Sequence, residues 1–190
     1  MILPIRAFGD NVLRKKAHDI EKDYPELQTL IDNMFETMYG ANGIGLAAPQ
    51  IGLDIRLFVV DVSPLSEDED YEDIADELKD FKKVFINARI LEESGEEWKF
   101  NEGCLSIPEV REDVKRKSTI KIEYYDEKFV KHTGTFSDIR ARVIQHEYDH
   151  IEGILFTDHL SALKKKIVKG KLHKIANGEV SVNYKMRFPK

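Results

Sequence analysis

The sequence predicts an α+β domain in which antiparallel or mixed β-sheets pack around a central helix carrying His-Glu-x-x-His, with a C-terminal helix and strand beyond it. Two observations predict it. Apolar residues recur at three- and four-residue steps in separate segments near 25–40, 137–153 and 161–176, as amphipathic helices require. Between the first two of these, strand-like runs follow one another without intervening helices, which argues against a doubly wound parallel sheet.

The elements follow in order. In PELQTLIDNMFETMYG, Pro25 suits a helix start, and Leu27, Leu30, Ile31, Met34, Phe35 and Met38 form one apolar stripe that Gly40 and Asn42-Gly43 end. The next stretch, GIGLAAPQIG, is too rich in Gly and Ala for a regular element and reads as a functional loop. RLFVVDV reads as a buried strand. Within residues 61–82, the run SEDEDYEDIADELKD has the composition of a solvated acidic surface insertion. KVFINARILEE, STIKIEYYD and KFVKHTGTF read as strands, the last two joined as a hairpin around Glu127-Lys128. EGCLSIPEVRE, with a Gly and a Pro, is not expected inside a long strand. Ser137 can cap the second helix, Asp138 suits its positive end, and Gly153 can end it. The helix from Ser161 to Ala176 carries Lys164, Lys165, Lys166, Lys169, Lys171 and Lys174, a solvated face that could also meet the ribosome. GEVSVNYKMRF is expected to be a last strand.

Composition narrows the function. With 190 residues, 42% of them hydrophobic, residues 1–190 are expected to form a single domain. The charged fraction of 34% is mixed in sign and the net charge is −6, so sequence-specific nucleic-acid binding is not expected. No apolar run approaches the roughly 20 residues that span a bilayer. The N-terminal MILPIRAFGDNVLRKKA resembles neither a secretory signal nor a transit peptide, and the single cysteine, Cys104, forms no internal disulfide. A cytoplasmic location is expected.

The chemistry concentrates in QHEYDH, residues 145–150. Positions four apart share a helix face, so His146 and His150 can aim ring nitrogens at one ion. Glu147 projects beside them, free to hold a water on that ion. The site needs a third ligand. In the extended pattern HExxHxxGxxH, Gly153 fits but Phe156 occupies the last histidine position. Metalloproteases that use a later glutamate need one some twenty residues on, and none occurs from Phe156 to Asn177. The search therefore turns upstream to Cys104, whose thiolate with two imidazoles leaves an open fourth position.

Three motifs together, GIGLAAPQ at 43–50, EGCLSIP at 102–108 and QHEYDH at 145–150, resemble in order those of the peptide deformylase family. The likeness extends from FGDNVLRKKA through GILFTDHLS, with departures in the acidic insertion and in the tail. The resemblance implies removal of the N-formyl group from nascent polypeptides that start with N-formylmethionine, with release of formate. It implies Cys104, His146 and His150 as metal ligands and Glu147 as general acid/base toward the metal's water. It further implies Gln50, through its amide, and Leu105, through its backbone N–H, as oxyanion donors. Ile44, Gly45 and Gly103 would hold the peptide as an added strand. The implied metal is Fe²⁺, which Zn²⁺, Ni²⁺ or Co²⁺ can replace in preparations. Val143 beside the ligands could line a methionine pocket.

Three other readings make different predictions. An endopeptidase with the same helix predicts a downstream ligand and indifference to a formyl group. A cysteine amidase with Cys104 as nucleophile predicts insensitivity to chelators and tolerance of Glu147→Gln. A binding module that merely kept the fold has no need for Gln50, Cys104, His146, Glu147 and His150 all at once.

Overall fold

The computed structural model describes residues 1–189. A five-stranded antiparallel sheet runs in the order β2 (Gly45–Ala47), β3 (Leu57–Asp61), β4 (Lys82–Cys104), β5 (Ile107–Tyr125) and β6 (Lys131–Ser137). Outside it, β1 (Ile5–Arg6) pairs in parallel with β7 (Met186–Arg187). Four helices complete the chain: α1 (Leu27–Gly40), α2 (Ala75–Leu78), α3 (Asp138–Ile151) and α4 (Ala162–Ala176). The expected α+β class and the three amphipathic helices are present. No helix among the described residues is long and apolar enough to cross a membrane.

The sheet is built around one long ribbon. β4 and β5 stay paired from Ile86↔Tyr125 to Cys104↔Ile107, and four breaks in register bend the ribbon. EGCLSIPEVRE is therefore not a loop between strands: its two halves are the ends of β4 and β5, joined at Leu105-Ser106. Pro108 is tolerated because it is the second residue of β5, where the ladder is only starting. GIGLAAPQIG is likewise more regular than expected. Gly45–Ala47 pair with β3 from Gly45↔Val60 to Ala47↔Phe58, and a 3-10 turn over Ala48–Ile51 follows. Small side chains are needed there because α3 packs against this strand.

Two faces of the sheet and one end of the molecule hold the core. Phe58, Val60, Phe85, Ile120 and Ile122 pack with Ile139, Val143, Ile144 and Ile151 of α3. Ile31, Met34 and Met38 of α1 meet Leu57, Val59, Val84 and Ile86. Ile107, Val110 and Val114 pack with Phe156, Leu160 and α4 residues Val168 and Ile175.

Several local expectations change. Ser137 makes no cap bond: its hydroxyl pairs with Thr119 Oγ at 3.1 Å, and the Asp138 carboxylate instead accepts from Arg140 N–H at 3.0 Å. Ser161 does cap α4, accepting from Lys164 N–H, and Gly153 follows α3 with φ 76°, where a residue with a side chain would be strained. The acidic run is ordered as 3-10 turns and α2; its carboxylates are outside, but Leu78 is fully buried and Leu65, Tyr71 and Ile74 pack on the core. In the tail only Met186–Arg187 form a strand, because β1 offers just two residues to pair with.

Candidate metal centre

α3 brings His146 and His150 to one face, as the four-residue spacing requires, and β4 ends with Cys104 opposite them. One donor atom from each of the three residues lies within 4.8 Å of the others. Cys104 Sγ is 3.3 Å from His150 Nε2. Tetrahedral ligands at ordinary metal–sulfur and metal–nitrogen lengths sit roughly 3.5 Å apart, so the donor set fits a divalent transition ion.

The protonation states suit a ligand set. Burial alone would raise the Cys104 thiol, but the His150 and His146 rings beside it outweigh that and bring it down to about 5. The site thus holds a thiolate at neutral pH. His146 Nδ1 is 3.0 Å from Glu102 Oε2, which leaves Nε2 for an ion. Glu102 is a buried hub: it accepts from Arg116 Nε at 2.7 Å and Arg142 Nη1 at 2.9 Å. Burial pushes its carboxyl up, yet the His146 and Arg116 hydrogen bonds prevail and hold it well below the usual carboxylate range. Arg116 also donates to Asp149 Oδ2 at 2.7 Å, the oxygen that faces His159 Nε2 at 2.8 Å.

Glu147 is buried, and its Oε2 has no protein partner among the described residues. Burial raises its carboxyl to about 7, despite the opposing pull of His146 and His150. Its position explains Gly45: a Cβ there would lie 2.8 Å from the Glu147 carboxyl carbon. The Gln50 side chain is oriented by its own turn, with Oε1 accepting from Ala47 N–H at 2.8 Å. Its Nε2 therefore faces Cys104 Sγ at 3.5 Å and Ser106 Oγ at 3.4 Å.

These groups open into a cleft of about 700 Å³ lined by Ile44, Gly45, Gln50, Gly103, Cys104, Leu105, Val143, His146 and Glu147. His150 lies beneath it, buried. The candidate site residues read from the sequence are thus gathered at this one place. β2 is one of the two edge strands of the sheet, so its outer side presents backbone groups that no strand among the described residues pairs.

Sequence reasoning missed Glu102, Arg116, Arg142, Asp149 and Tyr184. Glu102 was missed because residues 102–108 read as lying outside a long strand; the structure places it in β4, where it reaches His146. Arg142, four residues before His146 on α3, carried a signal, whereas Arg116 and Tyr184, whose hydroxyl donates to the Leu105 carbonyl oxygen at 2.8 Å, carried none. They are placed by strand register and by the path of the tail.

Comparison with known proteins agrees with this geometry. The family described as Polypeptide deformylase matches residues 2–166. A peptide deformylase of Christiangramia forsetii is 62% identical over 190 residues, covering 100% of this chain and 97% of that protein. One of Flavobacterium johnsoniae is 59% identical over 189 residues, covering 99% and 96%. The crystal structure of a peptide deformylase from Legionella pneumophila superposes with a TM-score of 0.79 at 37% identity, over 94% of this chain and 98% of that one. That of Thermotoga maritima gives 0.73 at 37% identity, over 85% and 99%. With a Cys/His/His donor set on this fold and relatives of this likeness along its whole length, the chain belongs to the polypeptide deformylase family.

Proposed function

We propose that Cys104, His146 and His150 hold a ferrous ion, and that Glu147, Gln50 and the Leu105 N–H carry the reaction around it. The enzyme removes the formyl group from the N-formylmethionine of nascent polypeptides and releases formate. A divalent ion in such a site supplies Lewis acidity and brings a water's pKa near neutrality. Iron is favoured over zinc in this reading because the family works best with Fe²⁺, while Zn²⁺, Ni²⁺ and Co²⁺ can take its place.

The observation that carries the assignment is Glu147: a buried carboxylate with a free oxygen, pressed against Gly45 beside the ligand set. It accepts a proton as water attacks the formyl carbon. Charge then grows on the formyl oxygen, toward which Gln50 Nε2 and the Leu105 N–H donate; one such donor is worth roughly 3–4 kcal/mol in other hydrolases. When the C–N bond breaks, Glu147 returns its proton to the departing amine, so the same oxygen serves both halves of the reaction. The peptide lies as an added strand along Ile44 and Gly45 on one side and Gly103 on the other. Val143 lines the methionine pocket, and a narrow opening at the ligand set admits formyl and rejects acetyl.

Residues 1–190 act as one catalytic domain, with 61–82 peripheral to the chemistry, and the reaction takes place in the cytoplasm where formylated chains emerge. The lysines of α4 are available to the ribosome, with Lys164 held by Glu112 at 2.7 Å. Ribosome binding that is lost on charge reversal of Lys165 and Lys169 would support that contact; binding that survives it would not.

The deciding experiment measures formate release from a formyl-Met peptide by anaerobically purified, iron-loaded protein. Release is expected, with loss on chelation and a fall of at least a thousandfold in Glu147→Ala. No release from the loaded wild type would overturn the activity. Undiminished release after complete metal removal would instead favour Cys104 as a nucleophile.

A further inference from the structure

The family match ends at residue 166, but the cleft does not: Val182 and Tyr184 are part of its lining. From Val180 to Met186 half-buried residues alternate with exposed ones, as in an extended chain with one face inward. Val180 and Met186 pack on the core beneath α4, and Tyr184 packs on the same core as Leu105. The segment is tied at both ends. Glu179 N–H donates to the Lys174 carbonyl at 2.8 Å, and Ile5 N–H donates to that of Lys185 at 2.8 Å.

Between these ties the tail grips the reaction centre at one atom. The Tyr184 hydroxyl donates to the Leu105 carbonyl oxygen at 2.8 Å. Leu105 belongs to the two-residue connection between β4 and β5, immediately after Cys104. The other residue of that connection is also held from outside, its carbonyl accepting from Phe8 N–H at 2.8 Å. The Leu105 N–H shares a peptide plane with the Cys104 carbonyl at the end of β4, and the Leu105 carbonyl lies in the next plane. Anchoring that carbonyl leaves only the φ and ψ of Leu105 between two held planes and limits how far the N–H can turn.

We propose that Tyr184 is a positioning residue for deformylation: its hydroxyl locks the Leu105 backbone so that the N–H at that residue points at the substrate's formyl oxygen. This rests on the reading of the Leu105 N–H as an oxyanion donor. An aromatic side chain from the tail thus completes a donor that the metal-ligand motifs only begin. Its effect belongs to the charge-bearing stage of the reaction, so it acts on kcat more than on KM.

The test is Tyr184→Phe, which keeps the ring and removes only the donor. With a formyl-Met-Ala-Ser peptide, kcat is expected to fall about five- to tenfold with KM within twofold of wild type. Metal content and Tm are expected to stay unchanged. The same variant on the N-thioformyl peptide, whose sulfur is a weaker acceptor, is expected to show a smaller loss. Wild-type kcat in Tyr184→Phe would overturn the proposal, as would a loss equal on both substrates or one that tracks a fall in Tm or metal content. No formate release by the wild type would overturn the deformylase reading, and this proposal with it.

Discussion

Gly45 and Glu147 show how one missing carbon can set a reaction's geometry. A methyl group at Gly45 would press on the Glu147 carboxyl and displace it from its place beside the ligand set. Gly45→Ala is therefore expected to lower kcat/KM at least a hundredfold while bound metal, measured by atomic absorption, is retained. In its proposed role as the base, Glu147 also sets the acid limb of the rate profile. A carboxyl raised to about 7 by burial is increasingly protonated, and so unable to accept a proton, as pH falls below that value. A dication beside it favours the ionised form and moves the limb down. The midpoint of log kcat/KM is thus expected at or below about pH 7; a midpoint well above it would exclude Glu147 as the base. Of the proposed site residues, His146, His150 and Glu147 were legible from helix spacing and Cys104 from the want of a downstream ligand, whereas Gln50 was legible only through the family resemblance. Their environments were not, because burial and unpaired oxygens depend on strands remote in the chain.

Among the elements, α3 and the β4–β5 ribbon are held together by Glu102, which receives Arg116 from β5 and both Arg142 and His146 from α3. Removing this charge leaves the buried Arg142 guanidinium without its anion and Arg116 with Asp149 alone. Glu102→Gln is expected to cost about 3–5 kcal/mol in urea unfolding. The pH dependence has a definite sign. Glu102 is held below its ordinary value of about 4.3, so its contribution is complete above that pH and is lost as pH falls beneath it. Unfolding measured as pH falls from about 5 to about 2 should therefore drop more steeply in wild type than in Glu102→Gln; parallel curves would contradict the assignment. Elements were legible where one rule dominated, as in α1, α3 and α4. They were misread where tertiary contacts prevailed: Gly45–Ala47 became a strand because β3 offers a partner, and Ser137 turned to Thr119 instead of capping α3.

At the scale of the whole molecule, the tail is neither a free appendage nor a full strand. It covers the core beneath α4 with Val180, Met186 and Phe188 and reaches the cleft with Tyr184. Deleting residues 178–190 exposes that core, at a cost of about 3 kcal/mol for several half-buried side chains. A fall in Tm of roughly 6–12 °C by calorimetry is expected; an unchanged Tm would mean that the tail packs only loosely. The family and its chemistry could be read from residues 43–50, 102–108 and 145–150, but the tail's part could not, since no local pattern says where an extended segment comes to rest.

The pairing of β1 with β7 has a consequence for how such a molecule is made. Ile5 leaves the ribosome well before its partner Met186, about 180 residues later in the chain. The sheet, α3 and the ligand set can assemble while synthesis continues, because their residues have already emerged. The clasp on Leu105 cannot form until Tyr184 follows. A growing chain thus has its ligand residues together before the Leu105 connection is clasped, and the pairing of β7 with β1 would bring the last increment of alignment to a centre already assembled.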